Sequence, residues 1–166
     1  MSFNITPPPS EMDKRDEVLA KAYSNLIYFG RAFLPNDFLK KSESAPFHYE
    51  MGQKMIDTRP GARICNIIPR GHGKSVVAKA AIMHKLCFAA DDQQHFIAWV
   101  SEEQSQAIDH LKYIRSHFEN NKMIRYYFGN MDGGSVGKRW TEKDLVTPKG
   151  DRVISKGTSQ RLRGRA

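Results

Sequence analysis

The residues with the clearest chemical content are Ile68-Pro69-Arg70-Gly71-His72-Gly73-Lys74-Ser75. They follow the pattern GxxxxGKS/T at every fixed position but the first, where isoleucine stands for glycine. Glycines at 71 and 73 let the backbone take positive φ and turn its N–H groups inward, so that several donors converge on a phosphate. Lys74 adds a cation suited to the β and γ phosphates of ATP, and the Ser75 hydroxyl is a ligand suited to Mg2+. Arg70 can reach a γ phosphate, or it can hold the loop through an ion pair. The candidate binding set is therefore Pro69, Arg70, Gly71, His72, Gly73, Lys74 and Ser75, with Ser75 as the metal ligand.

Such a loop works only between a strand and a helix, because the helix dipole must point at the phosphate. Ile64-Cys65-Asn66-Ile67-Ile68 is apolar, β-branched and closed by Pro69, the profile of a buried parallel strand. Lys74 to Ala89 reads as a helix that is apolar on most faces, which fits between two layers. Phe96 to Val100 reads as a second buried strand. Ser101 and Gln104 form a capping box for the helix that follows. That helix aligns Ala107, Leu111, Ile114 and Phe118 and ends at Asn120-Asn121.

After a loop at Asp132-Gly133-Gly134-Ser135, Leu145-Val146-Thr147 and Arg152-Val153-Ile154 flank Pro148-Lys149-Gly150-Asp151 as a hairpin with a type I turn. Upstream, Ser10 caps a first helix with Leu19, Ala22, Tyr23, Leu26 and Gly30 on one face, and Pro35 stops it. A second helix spans Pro46 to Thr58 and ends at Pro60-Gly61. The order strand, helix, strand, helix predicts an α/β fold with a parallel sheet and right-handed crossovers. The chain then divides into an extended lead-in at 1–10 containing Pro7-Pro8-Pro9, a helical segment at 11–60 and a core at 61–166.

Composition excludes several classes. No apolar run approaches the roughly 20 residues that cross a bilayer. Met1 to Pro9 lacks the basic and apolar regions of a signal peptide. Cys65 and Cys87 are too few for a disulfide framework and read as buried, reduced thiols. His72, His110 and His117 have no Cys or carboxylate cluster to complete a zinc site. Trp99 and Trp140 read as core, and Ser75 has no neighbouring base to make it a nucleophile. The net charge of +8 is concentrated at the end: from Gly133 to Ala166 nine basic residues face three acids, leaving +6. That concentration suits a polyanion, although a solvated surface carries the same charges.

The loop with its early arginine resembles the variant Walker A of phage terminase large subunits. The likeness extends to Tyr28-Phe29-Gly30-Arg31-Ala32-Phe33-Leu34-Pro35 and Ala45-Pro46-Phe47-His48 upstream. Downstream it takes in Trp99 to Ala107, Phe128-Gly129, Trp140 and Lys156 to Gly164. The resemblance implies a three-layer P-loop NTPase sandwich of the additional-strand, RecA-like type, with a mostly parallel sheet. It implies an ATPase that powers viral genome packaging by DNA translocation. It also implies ATP and Mg2+ as cofactors, with double-stranded DNA, a small terminase subunit and a portal protein as partners. The working form would be a homo-oligomeric ring, with no membrane, acting in the host cytoplasm and docking on the procapsid.

By position in that family, Arg163 in Leu162-Arg163-Gly164 corresponds to an arginine that acts across a subunit boundary on the transferring phosphoryl group. The alternative for Arg163 is a place in a basic surface on DNA, a reading that weighs less than action across the boundary. Phe47 and Gln53 are spaced like the family's adenine-reading segment, and Phe47 is also a plausible core residue. The family's Walker B strand, with its magnesium-holding aspartate and water-orienting glutamate, is expected after Ala166. Asp91-Asp92 has no apolar strand before it and does not replace it. This stretch alone is therefore expected to bind ATP without turning it over. Another P-loop protein, a helicase or a small kinase, would need later coupling motifs or a lid that are not visible. A non-catalytic nucleic-acid-binding or regulatory module would use the basic end alone.

Overall fold

The structure, a computed structural model, describes residues 9–38, 43–57 and 61–158. The chain divides into two compact units, residues 1–80 and 81–166. The first unit holds α1 (Pro9–Ser24), α2 (Leu26–Phe33), α3 (Pro35–Phe38), α4 (Pro46–Ile56) and the start of α5 (Lys74–Cys87). The lead-in at 1–8, together with Thr58 and Pro60, lies outside the described residues.

The single helical face expected from Leu19 to Gly30 is split in two. Asn25 leaves helical geometry, and its side chain accepts the Tyr28 N–H at 3.0 Å, which starts a new helix. The break leaves Ala22 buried but Tyr23 exposed, while Leu26 and Gly30 belong to α2. Pro35 likewise opens α3 rather than ending all helix, because its fixed φ and missing N–H cost nothing at a first helical position. Leu26, Ile27, Phe29, Phe33 and Leu34 are fully buried, and each such side chain stabilises the unit by roughly 1.5–3 kcal/mol. Two glycines permit the close packing around α2. A Cβ on Gly30 would lie 2.6 Å from the Phe38 ring, and one on Gly52 would lie 3.2 Å from Leu26 Cβ.

Residues 62–69, including the expected strand Ile64–Ile68, form no regular structure. Ile64 and Ile67 are exposed, Ile67 at 92%, and Cys65 is exposed rather than buried. A parallel strand depends on neighbours for its hydrogen bonds. None of the three strands among the described residues pairs with this segment.

The second unit contains the rest of α5, then β1 (Phe96–Ser101), α6 (Gln104–Asn120), α7 (Lys122–Phe128), a 3-10 turn (Gly134–Val136), β2 (Asp144–Val146) and β3 (Arg152–Gly157). The sheet order is β1-β3-β2. β1 runs parallel to β3 from Phe96↔Arg152 to Ser101↔Gly157, and β2 is antiparallel to β3 with Val146 opposite Arg152. The fold is α/β with a small mixed sheet. The hairpin forms where expected. Thr147 O accepts the Gly150 N–H at 2.9 Å, Gly150 takes φ +99, and Asp151 O accepts the Thr147 N–H at 2.8 Å.

α6 packs on β1 and β3, with Ala107, Leu111, Ile114 and Phe118 all buried. β1 departs from the expected buried strand: among the described residues it has one neighbour, and Phe96 and Val100 are exposed. The Ser101–Gln104 capping box does not form either. Ser101 ends β1, and Glu103 occupies the N-cap with its carboxylate accepting the Ser105 hydroxyl. Asn121 ends α6 and also caps α7, an unforeseen helix, by accepting the N–H groups of Met123 and Ile124 at 3.0 and 3.2 Å. No helix among the described residues is long and apolar enough to cross a membrane.

Candidate functional site

The candidate loop lies wholly within the first unit. Gly71 and Gly73 sit at φ +81 and +73, a region that costs other residues roughly 1–2 kcal/mol. Lys74 is the first residue of α5, a helix of 14 residues, so the amides around Gly73 lie at its positive end. The Lys74 ammonium folds back over the loop and donates to the carbonyls of Ile68 and Pro69. Ser75 follows with its side chain exposed. Arg70 is exposed and makes no ion pair with a described residue, so the structural ion pair weighed for it is not formed there.

His72 Nδ1 lies 2.9 Å from the Arg70 carbonyl, and since that oxygen only accepts, Nδ1 carries the proton. Its own carbonyl is held by a residue the sequence reading did not single out. His48 Nε2 lies 3.0 Å from His72 O, while His48 Nδ1 accepts the Ala45 N–H at 3.1 Å. The signal was present in Ala45-Pro46-Phe47-His48. Proline at the first position starts α4, and the residue at the third position is placed to reach back to the N-cap N–H. Ala45 has no side-chain acceptor, so only this return half of a capping box forms.

A cavity of about 370 Å³ opens on the loop, bounded by Gly71, His72, Gly73, Phe38, Phe47 and Val77. That volume is in the range of pockets that hold small ligands. Asp37 and Glu43 also line it. Burial pulls the Lys79 ammonium below its ordinary value, with the Asp37 carboxylate acting the other way. Phe47 thus stands at the cavity, its ring 6.4 Å from His72. Gln53 does not line it: the residue is exposed, and its amide donates to Asp57 at 2.8 Å, one turn along the chain.

The donor set fits a polyphosphate: two glycines at positive φ, a lysine and a helix start around one turn of chain. For a divalent cation the fit is partial. Ser75 supplies one hard oxygen, and among the described residues no group of three metal-ligating side chains occurs. A magnesium ion here would depend on phosphate oxygens and water for its other ligands.

In the second unit the basic stretch is partly neutralised. Asp144 takes both Arg152 and Arg139, and Asp91, in the turn after α5, pairs with Lys149 at 3.0 Å. Asp151 is fully buried and anchors the hairpin, accepting the backbone N–H of His95 at 2.9 Å and the Thr147 hydroxyl at 3.2 Å. Trp140 donates to Glu119 at 2.9 Å and Trp99 lies against His110, so both indoles are half-buried packing elements. Arg163, with Arg161 and Arg165, lies outside the described residues. No family model, curated protein or solved structure matches the chain.

Proposed function

We propose that this chain binds Mg2+-ATP through Pro69–Ser75 and is the ATPase portion of a phage terminase large subunit, a motor that drives double-stranded DNA into a procapsid. The observation that carries the reading is the loop itself. Gly71 and Gly73 take positive φ directly before a helix whose first residue, Lys74, lays its ammonium across the loop. Lys74 would exchange the carbonyls of Ile68 and Pro69 for β and γ phosphate oxygens. The loop amides would take the remaining phosphate oxygens, and Ser75 would hold magnesium, which neutralises phosphate charge. Phe47 supports a base in the adjoining cavity by its place there; Gln53 has no such support.

In this reading the α/β fold belongs to the three-layer, additional-strand class, and Arg163 acts in trans within a homo-oligomeric ring. The small subunit and the portal are partners in the host cytoplasm. The sequence likeness is the support for all of these.

Calorimetry on the full chain tests the proposal. Wild type should bind Mg2+-ATP, and Lys74→Ala should weaken binding by roughly 10- to 100-fold, the value of a hydrogen bond to a charged group. No binding by wild type, or equal binding by Lys74→Ala, overturns it. DNA affinity with a steep salt dependence and no nucleotide binding would instead identify a nucleic-acid module.

A further inference from the structure

We infer that His48 is a positioning residue for the phosphate loop: its imidazole clamps the His72 carbonyl and so sets the direction of the Gly73 N–H. The aim of that N–H at a phosphate rests on the nucleotide reading above, whereas the clamp itself does not. The chain of contacts is short. Ala45 N–H can only donate, so His48 Nδ1 is the acceptor and the ring's proton lies on Nε2. Nε2–H then donates to His72 O at 3.0 Å. The His72–Gly73 peptide is planar and trans, so its carbonyl and its N–H point in opposite directions. Holding the carbonyl toward α4 therefore turns the Gly73 N–H away from it.

Gly73 is part of the same device. A Cβ there would stand 3.3 Å from His48 Nε2 and push the ring back by a few tenths of an ångström, in addition to the strain at φ +73. His48 thereby ties the N-terminus of α4 to the turn that opens α5. The protein orders the loop before any ligand contributes, which lowers the ordering cost of binding.

Two substitutions divide the roles of the ring. His48→Asn keeps an acceptor for the Ala45 N–H but falls short of His72, whereas His48→Gln places an amide donor near the position of Nε2. Long-range proton–nitrogen spectra of wild type should show the Nε2–H tautomer. Amide hydrogen exchange at Val77, whose N–H is bonded to the Gly73 carbonyl at 3.0 Å, should quicken in His48→Asn and His48→Ala and stay near wild type in His48→Gln. Mg2+-ATP affinity should fall roughly three- to tenfold in the first two, the value of one hydrogen bond, and recover in the third.

An Nδ1–H tautomer, unchanged exchange in His48→Ala, or full affinity in His48→Asn alongside loss in His48→Gln overturns the clamp. If Lys74→Ala abolishes nucleotide binding while every His48 variant binds normally, the clamp fails and the nucleotide reading stands. If no protein binds nucleotide but exchange follows the stated pattern, the clamp stands and that reading fails.

Discussion

Asp144→Asn removes one negative charge from a place where a single carboxylate serves two arginines. Asp144 Oδ1 accepts Arg152 Nε at 2.9 Å, and Oδ2 accepts Arg152 Nη2 at 2.7 Å and Arg139 Nη1 at 2.9 Å. The two-pronged contact to Arg152 is the strong kind of ion pair, and it joins adjacent strands β2 and β3. Arg152 also lies over the Phe96 ring of β1 at 5.8 Å, so this carboxylate fixes a side chain that spans the sheet. The Arg139 side chain is 59% exposed, and its share is small. Asparagine keeps the shape and one acceptor, but it sets an NH2 against the guanidinium. The loss is one charge-assisted bond, discounted for the part-exposed Arg152, or about 1–2 kcal/mol. For a chain of this size that lowers Tm by roughly 2–8 °C.

The pH dependence separates charge from shape. Burial would raise the Asp144 carboxyl, but hydrogen bonds and charges from Arg152 and Arg139 outweigh it and hold the group below the usual carboxylate range. A folded value below the unfolded one gives stability that is complete above the unfolded value, about 3.9, and lost as pH falls through the lower folded value. Urea unfolding of wild type and Asp144→Asn should therefore differ by a constant amount between about pH 5 and pH 8. The two should converge below about pH 4. A difference that persists unchanged into acid would mean that packing rather than charge is lost. No difference at neutral pH would remove the carboxylate from the sheet's stability altogether.

Gly73→Ala forces an L side chain into φ +73 and against His48, a strain of roughly 1–2 kcal/mol that should appear as a lower melting temperature and weaker Mg2+-ATP binding in calorimetry. Unchanged melting and affinity would show that the loop takes another path. Of the two thiols, Cys65 is exposed, and Cys87 is buried with burial pushing its thiol far up. A chromogenic disulfide reagent should titrate one thiol in native protein and the second only in denaturant, and prompt reaction of both would contradict the packing around α5.

What the sequence disclosed was local in origin. The loop turns at Gly71 and Gly73 because glycine alone takes positive φ cheaply, and the helix after it, the stripe Ala107 to Phe118 and the turn at Pro148 to Gly150 follow from short spacings. The misread features depend on distant partners or on competition between caps. Ile64–Ile68 has the composition of a buried strand, but composition cannot supply a neighbour, and without one the ladder is absent. β1 reads as buried for the same reason, since period and apolarity do not say whether a strand has one neighbour or two. Asn25 sits in a run whose flanking residues continue a helical pattern, and spacing places the end of α6 at Asn121 without showing that the same residue starts α7. The role of His48 is not legible in the sequence because its two contacts lie 3 and 24 residues away, and only the nearer one follows from spacing.

Charge carries the same lesson about counting residues without their partners. Six of the nine cations after Gly133 fall among the described residues: Lys138, Arg139, Lys143, Lys149, Arg152 and Lys156. Asp144 answers two of them and Asp91 a third. Lys138 and Lys143 are exposed, and with Lys156 they make no ion pair with a described residue. Each phosphate that a lysine neutralises contributes about 0.9 to the salt slope, so on the proposed DNA reading these three lysines would give a slope of roughly three. Arg139 and Arg152 would have to leave Asp144 to add to it, and for Arg152 that gives up the contact that joins β2 to β3. If the chain binds DNA as proposed, the described part of this stretch does so through lysines, because Arg152 holds β3 to β2 through Asp144.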